Sequence, residues 1–529
     1  MGLNTYDDLK ISKTPELVFG LVGPIGVDIA LIEDRLVSAL ESVRYSPVKV
    51  RITKLMQQID TDISLKDEEG PFEYYKSRMD YANSVRKKCE NNSALAALSI
   101  LAIKNHRQEV NEENKTLPAD ERGIPLIDCP LSSTAYIIRQ FKTKEEVSLM
   151  RAVYGKKFVQ ISVHASHETR LQKMTNDISL KNPELDPEKI KDIATDLIKR
   201  DKDEENNDNG QRLGKIFHLG DVFVDATSEK TISNTVPRFI KAFFGHNSIS
   251  PTKDEYGSYI AASASLRTLD PSRQVGAAIF STEGEVISLG SNEVPKYGGG
   301  TYWGDEDNPH RDFDDRRSPN FVRKNRMFYD LLSRLNGIGA LKDSTELKKA
   351  IDTTDDDVLK SIMAHEGLDG ALLNDITEYG RMTHAEMNAI TDAARLGIAT
   401  KNATLFSTTF PCHNCAKHIV ASGIIRVVYI EPYPKSQAVH LNGDSISLDI
   451  ETSNKVIFEN FVGISPRRYR DIFEKGKRRD SSGNYKEWYE GDPAPRVLDR
   501  GAGYVLNENS AILSALDKVG DEIELIGES

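Results

Sequence analysis

Cysteine, tryptophan and excess basic charge are all scarce in this chain of 529 residues. It contains four cysteines and two tryptophans, and its 81 acidic side chains outnumber its 69 lysines and arginines. So few cysteines in so long a chain exclude a disulfide framework. The net charge of −12 disfavours a general nucleic-acid coat, because such proteins bind the phosphate backbone through a basic face.

Long uninterrupted apolar segments are also missing. The longest apolar stretch, Leu17 to Ile32, contains three glycines, a proline and Asp28, so it is not expected to span a bilayer. No signal-peptide pattern precedes it, and Tyr6 stands where an N-myristoylation motif needs Ser or Thr. We therefore expect a cytoplasmic protein without a membrane anchor.

The first half of the chain alternates short apolar runs with helical patterns, which predicts an α/β domain with a largely parallel sheet. The predicted strands are Glu16–Val22, Val48–Ile52, Ala135–Arg139, Phe158–His164 and Asp221–Asp225. Thr143, with Glu146 three residues later, predicts a capping box at the start of a helix. The polar segment Asp201–Gly210 is predicted to be a mobile loop.

The turn after the first strand is similar to a phosphate-binding loop that has lost its functional side chains. Such a loop has the pattern G-x-x-x-x-G-K-[ST], in which the lysine reaches the phosphates and the hydroxyl holds magnesium. Aligned from Gly23, the second glycine is replaced by Asp28, the lysine by Ile29 and the hydroxyl residue by Ala30. The sequence therefore predicts a degenerate P-loop kinase-like domain that does not transfer phosphate.

Four uses remain for such a domain. It could sense a nucleotide, provide an oligomerisation platform, dock a regulatory nucleotide, RNA or protein, or simply complete the hydrophobic core of an assembly. Of these uses, we favour sensing or docking.

We predict two domains joined by a short linker. The predicted boundaries are 1–245 for the kinase-like domain, 246–254 for the linker, 255–500 for the second α/β domain and 501–529 for a C-terminal tail.

The second domain is predicted to begin with a hairpin and to end with a βαβ crossover, separated by the insertion 296–380. The hairpin strands are Val275–Ser281 and Val286–Ser291. Within the insertion, helical patterns occur around Phe328–Leu335 and Val358–Met363. The crossover consists of a helix, a strand, a helix and a strand, at Thr383–Leu396, Ala403–Phe410, Cys412–Ser422 and Arg426–Ile430.

Two short motifs in this crossover could carry metal chemistry: T-H-A-E at 383–386 and P-C-H-N-C at 411–415. His384, Cys412 and Cys415 are three ligands that zinc prefers, and three ligands leave a fourth position open for water. In the first turn of a helix the two thiols point the same way, and the helix N-terminus lowers their pKa. Glu386 would then lie near the water and transfer its protons.

Each motif alone has a simpler interpretation. Thr383 to Glu386 has the spacing of a capping box, and a C-x-x-C pair could be a redox centre or half of a structural zinc site. No second cysteine pair is present to complete a structural site. The joint pattern, H-x-E followed by P-C-x-x-C, is the signature of zinc-dependent deaminases and favours that chemistry.

With Gln274–Ala277 and Ser291–Pro295, these motifs make residues 255 to about 435 resemble the deoxycytidylate deaminases. The resemblance implies a cytidine-deaminase-like α/β/α sandwich that assembles into homo-oligomers. The resemblance also assigns zinc binding to His384, Cys412 and Cys415. It assigns proton transfer to Glu386 and contact with the sugar to Asn292. The insertion lacks cysteine, so we do not expect the second structural zinc of some relatives.

A free nucleotide also needs a phosphate site, and arginine and lysine are the expected ligands. Arg273, beside the first hairpin strand, and Lys435, after the crossover, are the nearest in sequence to the predicted pocket. A denser basic stretch runs from Arg467 to Arg479. For any single one of these residues, an ordinary solvated helix face is the simpler explanation.

The order of the two domains, with the motifs Glu431–Ser436 and Gly463–Tyr469, resembles the anti-phage deoxycytidine nucleotide deaminases of bacteria. This resemblance implies conversion of dCTP to dUTP, and of dCMP to dUMP, which depletes a DNA precursor. Two alternatives stay open. A polynucleotide cytidine deaminase is disfavoured by the acidic chain, and a purely regulatory nucleotide sensor is disfavoured because it would not need Glu386.

Overall fold

A computed structural model describes residues 12–520, except 67–69, 118, 120–123, 203, 205, 206, 208, 315, 317, 342–350, 352–367, 369, 370, 377 and 498–500. The chain divides into two compact units. The first unit is Met1–Tyr256 with Asn460–Ser529, and the second is Gly257–Glu459. Within the described residues, no helix combines the length and the apolar character needed to cross a membrane.

The first unit contains a six-stranded sheet, in which all five predicted strands are confirmed. The strands are β1 (Leu17–Val22), β2 (Ser46–Arg51), β3 (Thr134–Arg139), β4 (Phe158–His164), β5 (Val222–Asp225) and β12 (Gly463–Ile464). Their order is β2-β3-β1-β4-β5-β12. The pairings from β2 to β5 are parallel, and β12 is antiparallel to β5.

Helices cover both faces of this sheet. They are α1 (Ile29–Ser42), α2 (Ile52–Leu55), α3 (Pro71–Lys88), α4 (Ala94–Val110), α5 (Lys144–Tyr154), α6 (His167–Lys181), α7 (Pro187–Lys202), α8 (Glu229–Phe243), α14 (Pro466–Phe473) and α15 (Tyr504–Leu516). Because side chains alternate along a strand, Val18 packs with α4, α5 and α15, whereas Phe19 packs with α1 and α8. Burial on both faces explains why these strands are almost wholly apolar.

The C-terminal part of the chain does not follow the predicted boundaries. The prediction placed residues up to 500 in the second domain, yet Asn460 onward belongs to the first unit. The predicted tail contains α15, whose Tyr504 hydroxyl donates to Glu16 at 2.6 Å. Arg107 pairs with Glu16 at 2.9 Å and with Glu508 of α15 at 2.8 Å. A helix held by a buried ionic network is part of the fold and not a tail.

The predicted mobile loop at Asp201–Gly210 is also wrong at its start. Asp201 lies in the last turn of α7 and is buried. Its carboxylate accepts a hydrogen bond from the Ile25 backbone N–H at 2.7 Å and from Lys142 Nζ at 2.6 Å. Residues 203, 205, 206 and 208 of the predicted loop lie outside the described part. The predicted capping box of Thr143 and Glu146 is confirmed at the start of α5.

The second unit contains a mixed sheet, and the predicted hairpin and βαβ crossover are both confirmed. Its strands are β6 (Gly276–Phe280), β7 (Val286–Ser291), β8 (Thr404–Thr409), β9 (Arg426–Glu431), β10 (Ile446–Ser447) and β11 (Val456–Asn460). Their order is β7-β6-β8-β9-β11-β10. Strand β6 is antiparallel to β7 and β8, whereas β8 is parallel to β9.

Two helical layers enclose this sheet. The helices are α9 (Lys253–Ser265), α10 (Pro319–Gly337), α11 (Ala385–Leu396), α12 (His413–Ala421) and α13 (Ala438–Leu441). A side chain at Gly276 would collide with the backbone of α9, and one at Gly290 with the backbone of α11. These two close approaches put helices on opposite faces, the layering expected of an α/β/α sandwich.

The insertion 296–380 is partly described. Helix α10 confirms the predicted helix around Phe328–Leu335. The other predicted helix, around Val358–Met363, lies outside the described residues.

Candidate active site

Two helix N-termini of the second unit supply the predicted metal ligands. His384 is the N-cap residue of α11, and Cys412 is the N-cap residue of α12. Neither side chain makes a capping hydrogen bond. The capping-box interpretation of Thr383 and Glu386 is therefore wrong, and both N-cap side chains are available for other contacts.

The three predicted ligands form one tight cluster. His384 Nδ1 lies 3.3 Å from Cys412 Sγ and 3.4 Å from Cys415 Sγ. All three ligand atoms lie within 4.8 Å of one another. One imidazole and two thiols are a donor set that suits tetrahedral zinc and leaves one position for water, so these residues fit the metal.

The contacts within the cluster favour the thiolate form of Cys412, which is the form of cysteine that binds a metal. Hydrogen bonds from Cys415 and from His384 to the Cys412 thiolate lower the pKa of Cys412 to about 4. The same contact raises the pKa of His384 to about 9, and the hydrogen bond to Cys412 raises the pKa of Cys415. The three groups thus share protons as one unit, and these protons leave when a cation binds.

Glu386 is buried beside this cluster, in the first turn of α11. Burial raises its pKa, and the neighbouring Cys412 thiolate raises it further. Its Oε1 lies 3.2 Å from the hydroxyl of Ser407, which also donates to Thr409 O at 2.7 Å. Because a hydroxyl has one hydrogen, a protonated Glu386 can donate to Ser407, which gives the acid form a partner.

Ser407 is a residue that the sequence interpretation missed. It lies in β8, between the apolar Phe406 and the next buried polar residue, Thr409. Buried hydroxyls on a strand that adjoins the helix of Glu386 were the signal that could have identified it.

The predicted site residues surround a single cavity. Its volume is about 480 Å³, within the range of small-molecule sites. His384, Glu386 and Cys412 contribute to its wall, as do the predicted substrate-binding residues Asn292, Arg273 and Lys435. Cys415 is the one predicted ligand that does not line the cavity, and its side chain is buried in the first turn of α12.

Asn292 is bonded to the protein through both ends of its amide. Its Oδ1 accepts from the Val275 N–H at 2.8 Å, and its Nδ2 donates to Asp270 Oδ2 at 2.8 Å and to Arg273 O at 2.7 Å. The side chain therefore holds the loop 270–275 in place along the cavity wall. Its predicted contact with a sugar stays a prediction, and it would use the second lone pair of Oδ1.

Arg273 is half-exposed at the cavity wall. Its Nη1 lies 3.7 Å from Glu431 Oε1, and its guanidinium lies 5.3 Å from the centre of the Tyr433 ring. The basic stretch from Arg467 to Arg479 lies in the first unit and does not line this cavity. Within it, Arg468 is buried and donates to Asp221 at 3.0 Å, a structural contact.

The insertion contributes cavity wall that no motif indicated. Asp312, Ser318, Asn320 and Leu372 all line the cavity. Arg381 donates to Asp312 at 3.1 Å, and Asn320 donates to Ile376 O at 2.8 Å. Spacing along the chain does not reveal which part of a long insertion returns to the site, so these residues could not be chosen in advance.

Comparison with known proteins finds relatives for this region. Residues 251–431 match the sequence model of the family "Cytidine and deoxycytidylate deaminase zinc-binding region". The deoxycytidylate deaminase of Enterobacteria phage T2 is 50% identical over 54 residues, which are 10% of this chain and 29% of that protein. The chain thus spans less than a third of the length of this phage relative. The human deoxycytidylate deaminase is 24% identical over 216 residues, 41% of this chain and 78% of the relative.

Among solved structures, the dCMP deaminase of cyanophage S-TIM5 in complex with dCMP and dUMP is similar, with 17% identity and a TM-score of 0.22. That match covers 40% of this chain and 98% of the phage chain. The resemblance predicted from the motifs is confirmed by the family match over residues 251–431, and His384, Cys412 and Cys415 all lie within the matched residues.

Proposed function

We propose that the second unit catalyses the hydrolytic deamination of deoxycytidine nucleotides, converting dCTP to dUTP and dCMP to dUMP with release of ammonia. The observation that carries this proposal is the position of Glu386. It is buried next to an imidazole and two thiols, and all but Cys415 face one nucleotide-sized cavity.

His384, Cys412 and Cys415 are the residues that would hold zinc. When bound in such a set, zinc activates water for attack on C4 of the base. The closed cluster geometry and the acidified Cys412 thiol support this assignment.

Glu386 moves the protons in this proposal. Hydrolysis of the C4 amine requires a proton to leave the attacking water, and it requires protons to reach the ring nitrogen and the departing amine. A single buried carboxyl can do both, provided that its protonated form is stable between the two transfers. Ser407, which can accept a hydrogen bond from the protonated carboxyl, supports that role.

Arg273 and Lys435 are the proposed phosphate ligands, and Asn292 positions the loop that carries Arg273. An arginine fork suits phosphate oxygens, and the exposed half of Arg273 is accessible from solvent. The choice of deoxynucleotides, and of the triphosphate, rests on the resemblance to the anti-phage enzymes.

The test is ammonia release by the zinc-loaded full chain with dCMP, dCTP, CMP, CTP, deoxycytidine and a single-stranded DNA oligonucleotide in parallel. The Glu386→Ala variant serves as the blank. We expect turnover of dCTP and dCMP alone. Faster release from the oligonucleotide would replace the proposal with polynucleotide deamination, and silence on all six would refute it.

We also propose that the first unit is a kinase-like domain that does not transfer phosphate. Its parallel sheet, with the Gly23 turn between β1 and α1, supports the fold, and the residues Asp28, Ile29 and Ala30 argue against the chemistry. Transfer of the γ-phosphate of ATP to any deoxynucleoside or deoxynucleotide, retained in the Glu386→Ala variant, would contradict this.

We further propose a cytoplasmic homo-oligomer that defends bacteria against phage by depleting deoxycytidine nucleotides. The two-domain resemblance supports this role. Cells that produce the wild-type chain should lose dCTP during infection and form fewer plaques than cells producing Glu386→Ala. Equal plaque counts would contradict it, and light scattering of the purified protein would test the oligomer.

A further inference from the structure

The carboxyl ends of the parallel strands in the first unit carry three arginines. In open α/β sheets, ligands bind in the crevice at this edge, where the chain reverses its direction of strand addition. Arg51 ends β2 and Arg139 ends β3, and the two are register partners. Arg170 lies near the start of α6, the helix that follows β4. Strands β3 and β4 flank β1 on opposite sides, so the arginines surround the reversal point.

The turn after β1 is not expected to bind an anion, because carboxylates of the protein itself already accept hydrogen bonds from its donors. Asp201 accepts the Ile25 N–H at 2.7 Å, and Lys142 pairs with the same carboxylate at 2.6 Å. Asp28 caps α1 by accepting the Leu31 N–H at 3.0 Å. An incoming phosphate would meet two carboxylates there.

Arg170 is left without a counter-ion of its own. Its neighbouring carboxylate is Asp201, which is already matched by Lys142. Within the described part of the chain, no carboxylate comes within ion-pair distance of Arg170, and its buried Nε has no hydrogen-bond partner. Burial lowers the pKa of this guanidinium, and the neighbouring Asp201 carboxylate opposes that shift.

Arg51 and Arg139 share a single carboxylate. Arg51 lies 2.8 Å from Glu33 Oε2, and Arg139 lies 3.8 Å from the same oxygen. The two arginine side chains are 32% and 35% exposed, whereas Glu33 is buried. Burial and the neighbouring Arg51 lower the pKa of Arg139. Two partly exposed guanidinium groups are therefore held at the edge of the sheet with one counter-charge between them.

The charges at this edge are unevenly distributed. Around β1, four cations, Arg51, Lys142, Arg139 and Arg170, meet the carboxylates of Glu33, Asp28 and Asp201, and the further carboxylate of Asp225 lies at the end of β5, beyond β4. Neighbouring strands are about 4.8 Å apart, so the ends of β3 and β4 lie roughly 10 Å apart across β1. That spacing suits an extended anion more than a single phosphate ion.

We propose that this crevice binds a nucleoside polyphosphate, through Arg139 and Arg51 on one side of β1 and Arg170 on the other. The site is separate from the deamination cavity and does not depend on the function proposed for it. The arginine forks bind phosphate oxygens, and the self-occupied turn after β1 leaves the ligand without the contacts that phosphoryl transfer requires.

The test is isothermal titration of the full chain with dTTP and ATP, which lack the cytosine base, and with pyrophosphate and inorganic phosphate. We expect at least one of the two nucleotides to bind at one equivalent per chain, and inorganic phosphate to bind more weakly than pyrophosphate. Arg139→Gln and Arg170→Gln should each weaken nucleotide binding about tenfold or more, the usual cost of a charge-assisted hydrogen bond. Arg44→Gln is the matched control, because Arg44 is an 81%-exposed arginine of the same unit.

Two further variants keep the test decisive if an arginine variant fails to fold. Glu33→Gln removes the shared counter-charge and should tighten nucleotide binding several-fold, and Arg273→Gln in the deamination cavity should leave it unchanged. Circular dichroism checks the fold of each variant. Absence of nucleotide binding by the wild type at millimolar concentration would overturn the proposal. So would binding that depends on Arg273, or weaker binding by a folded Glu33→Gln variant.

Discussion

The helix N-termini of the two units are built alike and used differently. In the first unit Asp28 caps α1 and its carboxylate satisfies a backbone N–H of the helix. In the second unit His384 and Cys412 occupy the same position on α11 and α12, and neither forms a side-chain cap. A short acidic cap closes the helix end, whereas a longer imidazole or a thiol leaves it free to bind something else.

The buried carboxylates of the two units differ in the same way. Asp201 is matched by Lys142 and by a backbone N–H, so its charge is structural. Burial raises the pKa of Glu386, and the neighbouring Cys412 thiolate raises it further, which suits the proton transfer proposed for this carboxyl. A compensated carboxylate stabilises a fold, and a poorly compensated one is suited to chemistry.

The largest effect should come from Glu386→Gln. The change keeps the shape of the side chain but removes the proton carrier, so the rate of ammonia release should fall about 10²–10⁴-fold. Zinc content should not change. Glu459→Gln, in an ion pair with Arg426 away from the cavity, is the matched control and should keep full activity. Substantial turnover by Glu386→Gln would show that Glu386 does not carry the protons, and it would contradict the difference drawn between Glu386 and Asp201.

Cys415→Ser should abolish metal retention. Removal of a direct ligand should lower zinc affinity by more than the roughly 10–100-fold seen for outer-shell changes. Zinc per chain is measured by mass spectrometry after dialysis against a weak chelator. Cys129→Ser should retain the metal, because Cys129 lies in the first unit. Equal zinc content in both variants would show that the metal is not held by this cluster.

Asp201→Asn tests whether the buried carboxylate of the first unit is structural. The amide can still accept the Ile25 N–H but leaves Lys142 without its counter-ion, so stability should drop by about 3 kcal/mol. Hydrogen exchange of the peptide that contains Ile25 should accelerate accordingly. Unchanged exchange would mean that Asp201 does not hold the turn after β1.

The smallest effect should come from Asp28→Ala. Loss of the cap should cost about 1 kcal/mol, and Asp28→Asn should restore nearly all of it. Both changes are measured by thermal unfolding of the wild type and the two variants, with circular dichroism as the signal. If Asp28→Ala and Asp28→Asn unfold alike, the carboxylate is not acting as a cap.

Local patterns predicted what depends on neighbouring residues in the sequence. The five strands, the hairpin and the crossover all follow from apolar runs bounded by turns, and the capping box from a three-residue spacing. The polar character of Asp201 led to the wrong prediction of a mobile loop, because its partners, Ile25 and Lys142, are far away in sequence. The same holds for α15, whose burial depends on Glu16 and Arg107.

By itself the sequence determined the ligand chemistry, since one histidine and two cysteines in these motifs fit zinc whatever surrounds them. Only the tertiary structure decided which other groups join them. Asp312 and Asn320 reach the cavity because the insertion folds back to it, and Ser407 reaches Glu386 because β8 packs beside its helix. Residue types are carried by the chain, but burial, charge compensation and distance exist only after distant segments have packed together.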